Sequence, residues 1–433
     1  MRILQVADMY PPNLGGTEQH VQVLSRWLRA AGHEVEVATL ARPDLPEHEV
    51  DEFGVAVHRI RGLCTLVHER SADPTSTYHP TFPDPVVRRN LEQLIDRFQP
   101  DVVHSHGWIA QSAGWVRRSD RRRFASVVTL HDHSYTCVRK VLSTQDGRVC
   151  PGPSKHNCRR CAVETYGQVL GRIHLGGLES TRSVMAGADL TIAVSNSVRV
   201  ANELHVTAVG GPPIEVISSF IRAAVIDPAR QRVALPAALP KKFALFAGVV
   251  TEAKGITQLF AAWQAISDRV DIDLVVVGPD RRTTPTAVPD RVHVLGARPN
   301  LELLSIMEKA QFVVCPSVCA DAFPTVVVES LALGRPVIGS RVGGIVDQIQ
   351  HNRNGLLVTP GDVGELEAAM LLLATDAELR ACFSAEGPQR GNQFTVDAVA
   401  PRLLAAFERL TGARAPEELR EASRILQTAN GSR

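Results

Sequence analysis

Residues 312–344 constrain what this 433-residue chain can fold into more than any other stretch. An apolar strand (Phe312, Val313, Val314) runs into Cys315-Pro316-Ser317, and a short loop then carries Asp321. Pro324 and Thr325 open a helix, since proline suits a first turn whose amides have no intrahelical acceptor. Glu329 lies just over one turn inside, and Gly334 is placed to stop the helix. A strand–loop–helix unit of this kind directs a helix N-terminus at the carboxyl edge of a parallel sheet, where free amides and the macrodipole favour an anion. The two carboxylates can then serve different parts of one ligand. Asp321, in the loop, can accept from hydroxyls on whatever the anion is attached to, and Glu329, deeper along the helix, can grip a diol such as a ribose.

Strand and helix alternate in the same way along most of the chain. Arg2 to Ala7 reads as a strand, and a loop then reaches Gly15-Gly16. Thr17 is placed to cap a helix with an apolar stripe at Val21, Leu24 and Leu28, and Gly32 ends it before a second strand from Glu34 to Leu40. Repeated units of this kind build helix-covered parallel sheets, and a chain this long needs two cores, so the expected class is α/β with two domains. Charge is balanced, 47 basic against 46 acidic residues, so no global field favours nucleic acid or a membrane. Aromatics are 5% of residues, too sparse for a platform that stacks single-stranded bases. No apolar run is long enough to cross a bilayer, and Met1 leads straight into a strand, leaving no room for a signal peptide. A cytoplasmic protein is expected, with peripheral contact at the inner membrane face left open. Its eight cysteines are then reduced unless a metal holds them.

Asp321 and Glu329 at acid-x7-acid spacing, the flanking Pro316-Ser317, and Gly334-x-Pro336-Val337-Ile338 together resemble the donor-site signature of family 4 retaining glycosyltransferases. The resemblance spans residues 1 to about 412. It implies the GT-B fold, two Rossmann-like domains facing each other across a cleft, and a nucleotide-diphosphate sugar as donor. The implied organisation is an acceptor-side domain at 1–221, a linker at 222–241, a donor domain at 242–395, a helix crossing back at 396–412 and a flexible tail at 413–433.

Further positions match the family residue by residue. Pro11-Pro12-x-x-Gly15-Gly16-x-Glu18 resembles its first loop, which implies that Gly15 and Gly16 face donor phosphate and acceptor; on backbone geometry alone a tight turn that needs glycine is equally open. Gly248, Lys254 and Gly255 match G-R-x-x-x-x-K-G, with Lys254 and Gly255 implied at the diphosphate. The arginine of that motif is Val249 here, and losing a charge-assisted phosphate contact costs about 1.5–3 kcal/mol unless Arg281, Arg282 or Arg341 replaces it. The usual first acid is Glu, one methylene longer than Asp321. The backbone at Ala297 and Arg298 is implied to read the nucleobase, and Phe323, Pro324, Thr325 and Val326 to bind the rest of the donor.

On the acceptor side, the strand from Ser126 to Leu130 delivers His131-Asp132-His133. His131 matches the family's histidine near the reacting sugar. An imidazole is the natural base near neutral pH, yet retaining enzymes of this type leave the acceptor proton to the departing phosphate, and a histidine that merely ends a strand is also open. His104-x-His106 puts two rings on one side of a strand; with no third ligand evident, a structural or acceptor-side role is favoured over a metal. Arg117 to Arg123 reads as a solvated helix end.

Cys137, Cys150, Cys158 and Cys161 place half of the eight cysteines within 25 residues. Cys158-x-x-Cys161 is a chelating pair that Cys137 and Cys150 extend to four thiolates, so structural zinc is the leading reading. Disulfides, an iron–sulfur cluster, free thiols and a redox switch stay open. A subset of family 4 resembles this insert, which implies that it shapes the acceptor cleft.

The implied reaction is sugar transfer to a hydroxyl of a glycan, lipid-linked or small-molecule acceptor with retention of configuration, in glycan, polysaccharide or glycolipid synthesis. Lys254 and the helix start near Thr325 would hold the departing diphosphate without an obligatory divalent cation. Asp321 would hold sugar hydroxyls, Glu329 the ribose and His131 the acceptor side. The rival readings are a sugar-nucleotide epimerase, a catalytically weak nucleotide-sugar-binding partner subunit, motivated by Val249 and Asp321, and a metal or redox sensor built on the cysteines.

Overall fold

The computed structural model describes residues 1–12, 15–68, 78–120, 124–144, 150, 152–208, 210–227, 233–237, 239–282 and 287–412. Its first sheet contains β1 (Arg2–Ala7), β2 (Glu34–Leu40), β3 (His48–Val50), β4 (Ala56–Ile60), β5 (Val102–His106), β6 (Ala125–Leu130), β7 (Leu190–Ala193) and β8 (Ile214–Val216). The spatial order is β3-β4-β2-β1-β5-β6-β7-β8, parallel except for the edge strand β3. The second sheet contains β9 (Phe243–Ala247), β10 (Asp273–Val277), β11 (Val292–Gly296), β12 (Phe312–Cys315), β13 (Val337–Ser340) and β14 (Gly355–Val358), in the order β11-β10-β9-β12-β13-β14 and wholly parallel. Helices cover both faces, which is why the central strands read as unbroken apolar runs.

Each sheet has a point where the strand order reverses: between β1 and β5 in the first, between β9 and β12 in the second. Loops leaving adjacent strands there turn to opposite faces and open a crevice at the carboxyl edge. Asp8 follows β1, His106 ends β5 and His131 follows β6; Gly248 follows β9 and Asp321 lies beyond β12. The chemistry-bearing residues of both halves therefore converge on two facing crevices.

The helix Val396–Thr411 buries Val399, Leu403 and Phe407 with Ile3, Leu24 and Val102 of the first sheet's core. Beside it the chain crosses between the halves twice, and the two crossings are tied together. The Ile221 amide donates to the Phe394 carbonyl (2.8 Å) and the Val396 amide to the Ile221 carbonyl (3.0 Å). The residues expected to form the tail, 413–433, and part of the expected linker, 228–232 and 238, lie outside the described residues, as do Arg121, Arg122 and Arg123.

One local expectation is corrected. The first helix begins at Gly16 with Gly15 as N-cap, so Thr17 is inside it. The Glu18 carboxylate folds back over Gly15, where any Cβ would collide with it, and takes the place a capping side chain would fill. The Pro-, His- and Asp-rich segment 43–85 carries β3, β4 and a helix, Leu63–His68. After the cysteine-rich loop, Lys155–Tyr166 and Gln168–Ala186 form a helical hairpin turning at Gly167, which has φ 81°.

Candidate functional site

A cavity of about 860 Å³ lies between the halves. Gly16, Thr17, His131, Asp132, Arg139 and Lys140 line one side, and Thr251, Lys254, Arg281, Asp321, Phe323 and Thr325 the other.

The second-domain wall is built from two loops that need glycine to approach closely. Gly255 has φ 79°, and a Cβ there would lie 1.9 Å from the Pro316 carbonyl oxygen, so the Lys254 loop and the loop after β12 pack backbone on backbone. Gly343 does the same for Asp321: its Cβ would meet the Asp321 carbonyl oxygen at 2.1 Å, and the Gly344 amide donates to that oxygen at 2.7 Å. The loop so pinned pairs the Asp321 carboxylate with the Lys254 ammonium. Burial works against the ammonium, but the facing carboxylate outweighs it and holds Lys254 above its ordinary pKa. Ser317 Oγ also donates to Oδ2 of Asp321 (3.3 Å). Both contacts fall on one oxygen, leaving Oδ1 as an acceptor for a ligand hydroxyl.

Glu329 lines a small recess adjoining the cavity, with Gly16 and Thr325 common to both and Arg222 and Asn300 alongside. Burial pushes its carboxyl up to about 7, against the Arg222 charge and a hydrogen bond from Asn300.

The position where the resemblance expects arginine, Val249, has a cation beside it. The Val250 amide donates to the Pro279 carbonyl (2.9 Å) and the Arg281 amide to the Val250 carbonyl (3.0 Å), a short ladder that sets Arg281 against the 249–250 segment and on the cavity wall. Arg282 is instead paired with Asp280 at 2.6 Å, and Arg341 donates to the Leu357 carbonyl at 3.3 Å. Of the three arginines that could stand in for the missing one, only Arg281 is among the residues lining the cavity.

The first-domain wall is a nest of imidazoles. The His104 and His106 rings lie 4.1 Å apart between centroids and tilted by 55°, His131 lies 5.0 Å from His106, and His20 packs edge-on to His131 at 4.6 Å. Among the described residues, His20, His106 and His131 are the one trio whose ligand-capable atoms all lie within 4.8 Å of one another. Sequence showed no third ligand for the His104-x-His106 pair because the others come from a different helix and a different strand. Burial depresses all four rings, His131 to about 4 and His104 to about 3, and neighbouring imidazoles add to the effect on His20, His104 and His106. The four rings are uncharged at neutral pH. His133 bridges the halves by donating from Nε2 to the Ala320 carbonyl (2.9 Å), and Asn196 bridges to Asp347 (2.7 Å).

Gly16, His131, Lys254, Asp321, Phe323 and Thr325 thus share one cavity, with Glu329 in the adjoining recess. Gly15, Gly248, Gly255, Pro324 and Val326 belong to the backbone around it without lining it, while Ala297 and Arg298 lie exposed beyond β11, with Arg298 facing Glu302 at 3.6 Å. The cysteine-rich insert contributes Arg139, Lys140 and Ser143 to the cavity. Lys140 Nζ sits over the Trp108 ring (4.2 Å) and the Tyr78 ring (4.5 Å). Cys137, Cys150, Cys158 and Cys161 are free thiols, the last two one turn apart on the helix Lys155–Tyr166. Burial raises Cys137 and Cys158, and repulsion from Cys150 and Cys161 adds to it, but no three of the four sulfurs lie within 4.8 Å of one another.

Sequence reasoning missed Asp8. It is buried, accepts from the Ile109 amide (2.7 Å) and the Trp108 amide (3.1 Å), and is raised by burial to about 6. A strand-end carboxylate three residues before a proline pair carries no signal of its own. Its partner, the Gly107 turn a hundred residues on, is visible only in three dimensions.

Comparison with known proteins places both halves. Residues 14–224 match the family model described as Glycosyltransferase Family 4, and residues 241–376 one described as Glycosyl transferases group 1. The chain is 28% identical to a D-inositol 3-phosphate glycosyltransferase of Jonesia denitrificans, with 91% of each chain covered. Among solved structures it is similar to sucrose-phosphate synthase from Thermosynechococcus elongatus (TM-score 0.70, 20% identity, 96% of this chain and 100% of that one). It is also similar to Anabaena HepE in complex with UDP-glucose (TM-score 0.63, 16% identity, 94% and 100%). Both likenesses speak to the fold: two parallel-sheet domains in the GT-B arrangement.

Proposed function

Because this chain belongs to the family 4 glycosyltransferases of the GT-B fold, we propose that it moves a sugar, with retention of configuration, from a nucleoside-diphosphate sugar to a hydroxyl of an anionic acceptor. The observation that carries this reading is the half-buried Lys254–Asp321 pair facing His131 across one cavity. Departure of the diphosphate builds negative charge on its oxygens. Lys254, Arg281 and the helix start at Thr325 supply positive potential there, so no divalent cation is required for that step. Asp321 Oδ1 takes a sugar hydroxyl, and Glu329, once ionised, takes the ribose diol. His131 is neutral and orients the incoming hydroxyl, whose proton leaves with the departing phosphate.

Arg139 and Lys140 on the opposite wall favour an acceptor bearing phosphate or carboxylate. The relative named for D-inositol 3-phosphate supports the same class. By residue type and by the Cys158-x-x-Cys161 spacing, the four free thiols of the insert that carries these two cations suit a structural zinc ion, which would have to draw the sulfurs together. The ion would hold that wall in shape and take no part in the reaction. Metal analysis finding one zinc per chain would support it; none would discard it.

The test is nucleotide release from a panel of sugar nucleotides beginning with UDP-glucose, with EDTA present, with inositol or D-inositol 3-phosphate as acceptor. Release from one donor, stimulated by the phosphorylated polyol alone, is expected. Release that needs a divalent cation, or equal use of both polyols, would contradict the corresponding part of the proposal. Conversion of donor with no acceptor present would point to an epimerase instead.

A further inference from the structure

The unexplained feature of the first-domain wall is how its histidines are wired. Gln5 lies in the middle of β1, His106 at the end of β5 and His131 just past β6, three adjacent strands. Gln5 and His106 are fully buried. Gln5 Oε1 is 2.8 Å from His106 Nε2, and His106 Nδ1 is 2.8 Å from His131 Nε2. An unbroken chain of hydrogen bonds therefore runs from the interior of the sheet to a ring on the cavity wall.

A metal ion is the alternative for so tight a cluster, and the spacing argues against it. Two nitrogens held by one tetrahedral zinc at 2.0–2.1 Å lie roughly 3.3 Å apart. The His106–His131 separation of 2.8 Å is a hydrogen-bond length. His20, whose Nδ1 is held by Ser219 Oγ at 3.0 Å, keeps an unpartnered Nε2, so it is the His106–His131 spacing that speaks against the ion.

We infer that Gln5, acting through His106, decides which ring nitrogen of His131 carries the proton. An amide oxygen can only accept, so His106 bears its proton on Nε2. A neutral imidazole has one proton, which makes His106 Nδ1 an acceptor and obliges His131 to donate from Nε2. His131 is neutral as well, so its Nδ1, the nitrogen left over for the cavity, presents a lone pair. That is the form able to accept a hydrogen bond from an incoming hydroxyl and hold its oxygen toward the sugar. If Gln5 presented its amide NH₂ to His106 instead, every proton along the chain would move to the other nitrogen, and His131 would offer the cavity a donor. Gln5 is a positioning residue and touches no substrate. Its purpose rests on the transferase reading, but the wiring does not.

The decisive measurement is made on the wild-type protein: long-range nitrogen–proton NMR of [¹⁵N]histidine-labelled enzyme, with His131 assigned by its loss in His131→Asn. The expected spectrum has His131 protonated at Nε2 and bare at Nδ1. A proton on Nδ1, or stoichiometric zinc bound at these rings, would overturn the inference. Kinetics of two variants give the second arm. Gln5→Glu keeps an oxygen toward His106, and above the pH at which that buried carboxyl ionises, where it can only accept, it should keep the same tautomer and stay within about fivefold of wild-type kcat. Gln5→Leu removes the acceptor and should lower kcat by about 10–100-fold while leaving the donor KM within about twofold. Wild-type kcat in Gln5→Leu would overturn the role. Should Gln5→Leu fail to fold, the wild-type and Gln5→Glu spectra still decide. The predicted spectrum without sugar transfer from any donor would uphold the wiring and reject the transferase reading alone.

Discussion

The two walls of the cavity bury ionisable groups in opposite ways. On the donor wall Lys254 keeps its charge, because Asp321 faces it and outweighs the cost of burial. On the acceptor wall four histidines lose theirs, because each is buried and most crowd another imidazole. A buried charge survives where a partner is built beside it and is expelled where like groups surround it. One wall is thereby suited to a diphosphate, and the other to a neutral hydroxyl that must be oriented without being ionised.

The most damaging way to break this contrast is to remove the donor wall's cation. Lys254→Ala should lower kcat/KM by about 10²–10³-fold, since it deletes a charge aimed at the departing phosphate and strands Asp321. Steady-state kinetics with the identified donor checks this. His131→Ala should lower kcat by about 10–100-fold with the donor KM little changed, because it removes an orienting contact on the other wall.

Acidity separates the walls by sign. The histidines are held below their ordinary 6.5, so the stability they contribute is whole above pH 6.5 and is lost as the pH falls toward 4. Glu329 is raised from its ordinary 4.5 to about 7, so its contribution is whole below pH 4.5 and is lost as the pH rises through 7. Denaturant titrations of Glu329→Gln against wild type should show the variant gaining about 2–3 kcal/mol relative to wild type between pH 5 and pH 8. Donor affinity in the wild type should rise over the same interval as Glu329 ionises for the ribose; an affinity that falls instead would remove Glu329 from that role.

The smallest effect is expected at Arg281. It is exposed to solvent, so its contact with phosphate is screened, and Arg281→Ala should raise donor KM by about 3–10-fold. An unchanged KM would leave the absence of arginine at Val249 uncompensated.

The elements of the second-domain wall are legible in residue pattern, whereas Ala297 and Arg298, expected beside them, lie outside the cavity lining. Strand, loop, Pro324, helix and Gly334 are consecutive, so local propensity and tertiary structure agree, and Asp321, Thr325 and Lys254 lie in one cavity as their motifs imply. The acceptor wall is less legible. Gln5, His20 and Asp8 belong to the site through partners 100 or more residues away, and spacing along a chain carries no trace of such contacts. His104 and His106 were visible as a pair, but their meaning depends on the strand order that sets β5 between β1 and β6. The helix carrying Cys158 and Cys161 was hidden by weak amphipathicity, with Ala162 its sole buried residue. Val249 could be recognised as a missing cation, and only the backbone ladder at Val250 singles out Arg281 among the candidates.

The division of labour between the walls is tested most directly by calorimetric titration of UDP and GDP onto wild type, Lys254→Ala and His131→Ala in parallel. The nucleotide that binds wild type is expected to lose at least about tenfold in affinity on Lys254→Ala and to stay within about twofold on His131→Ala. Equal weakening by both variants, or undiminished binding to Lys254→Ala, would contradict it.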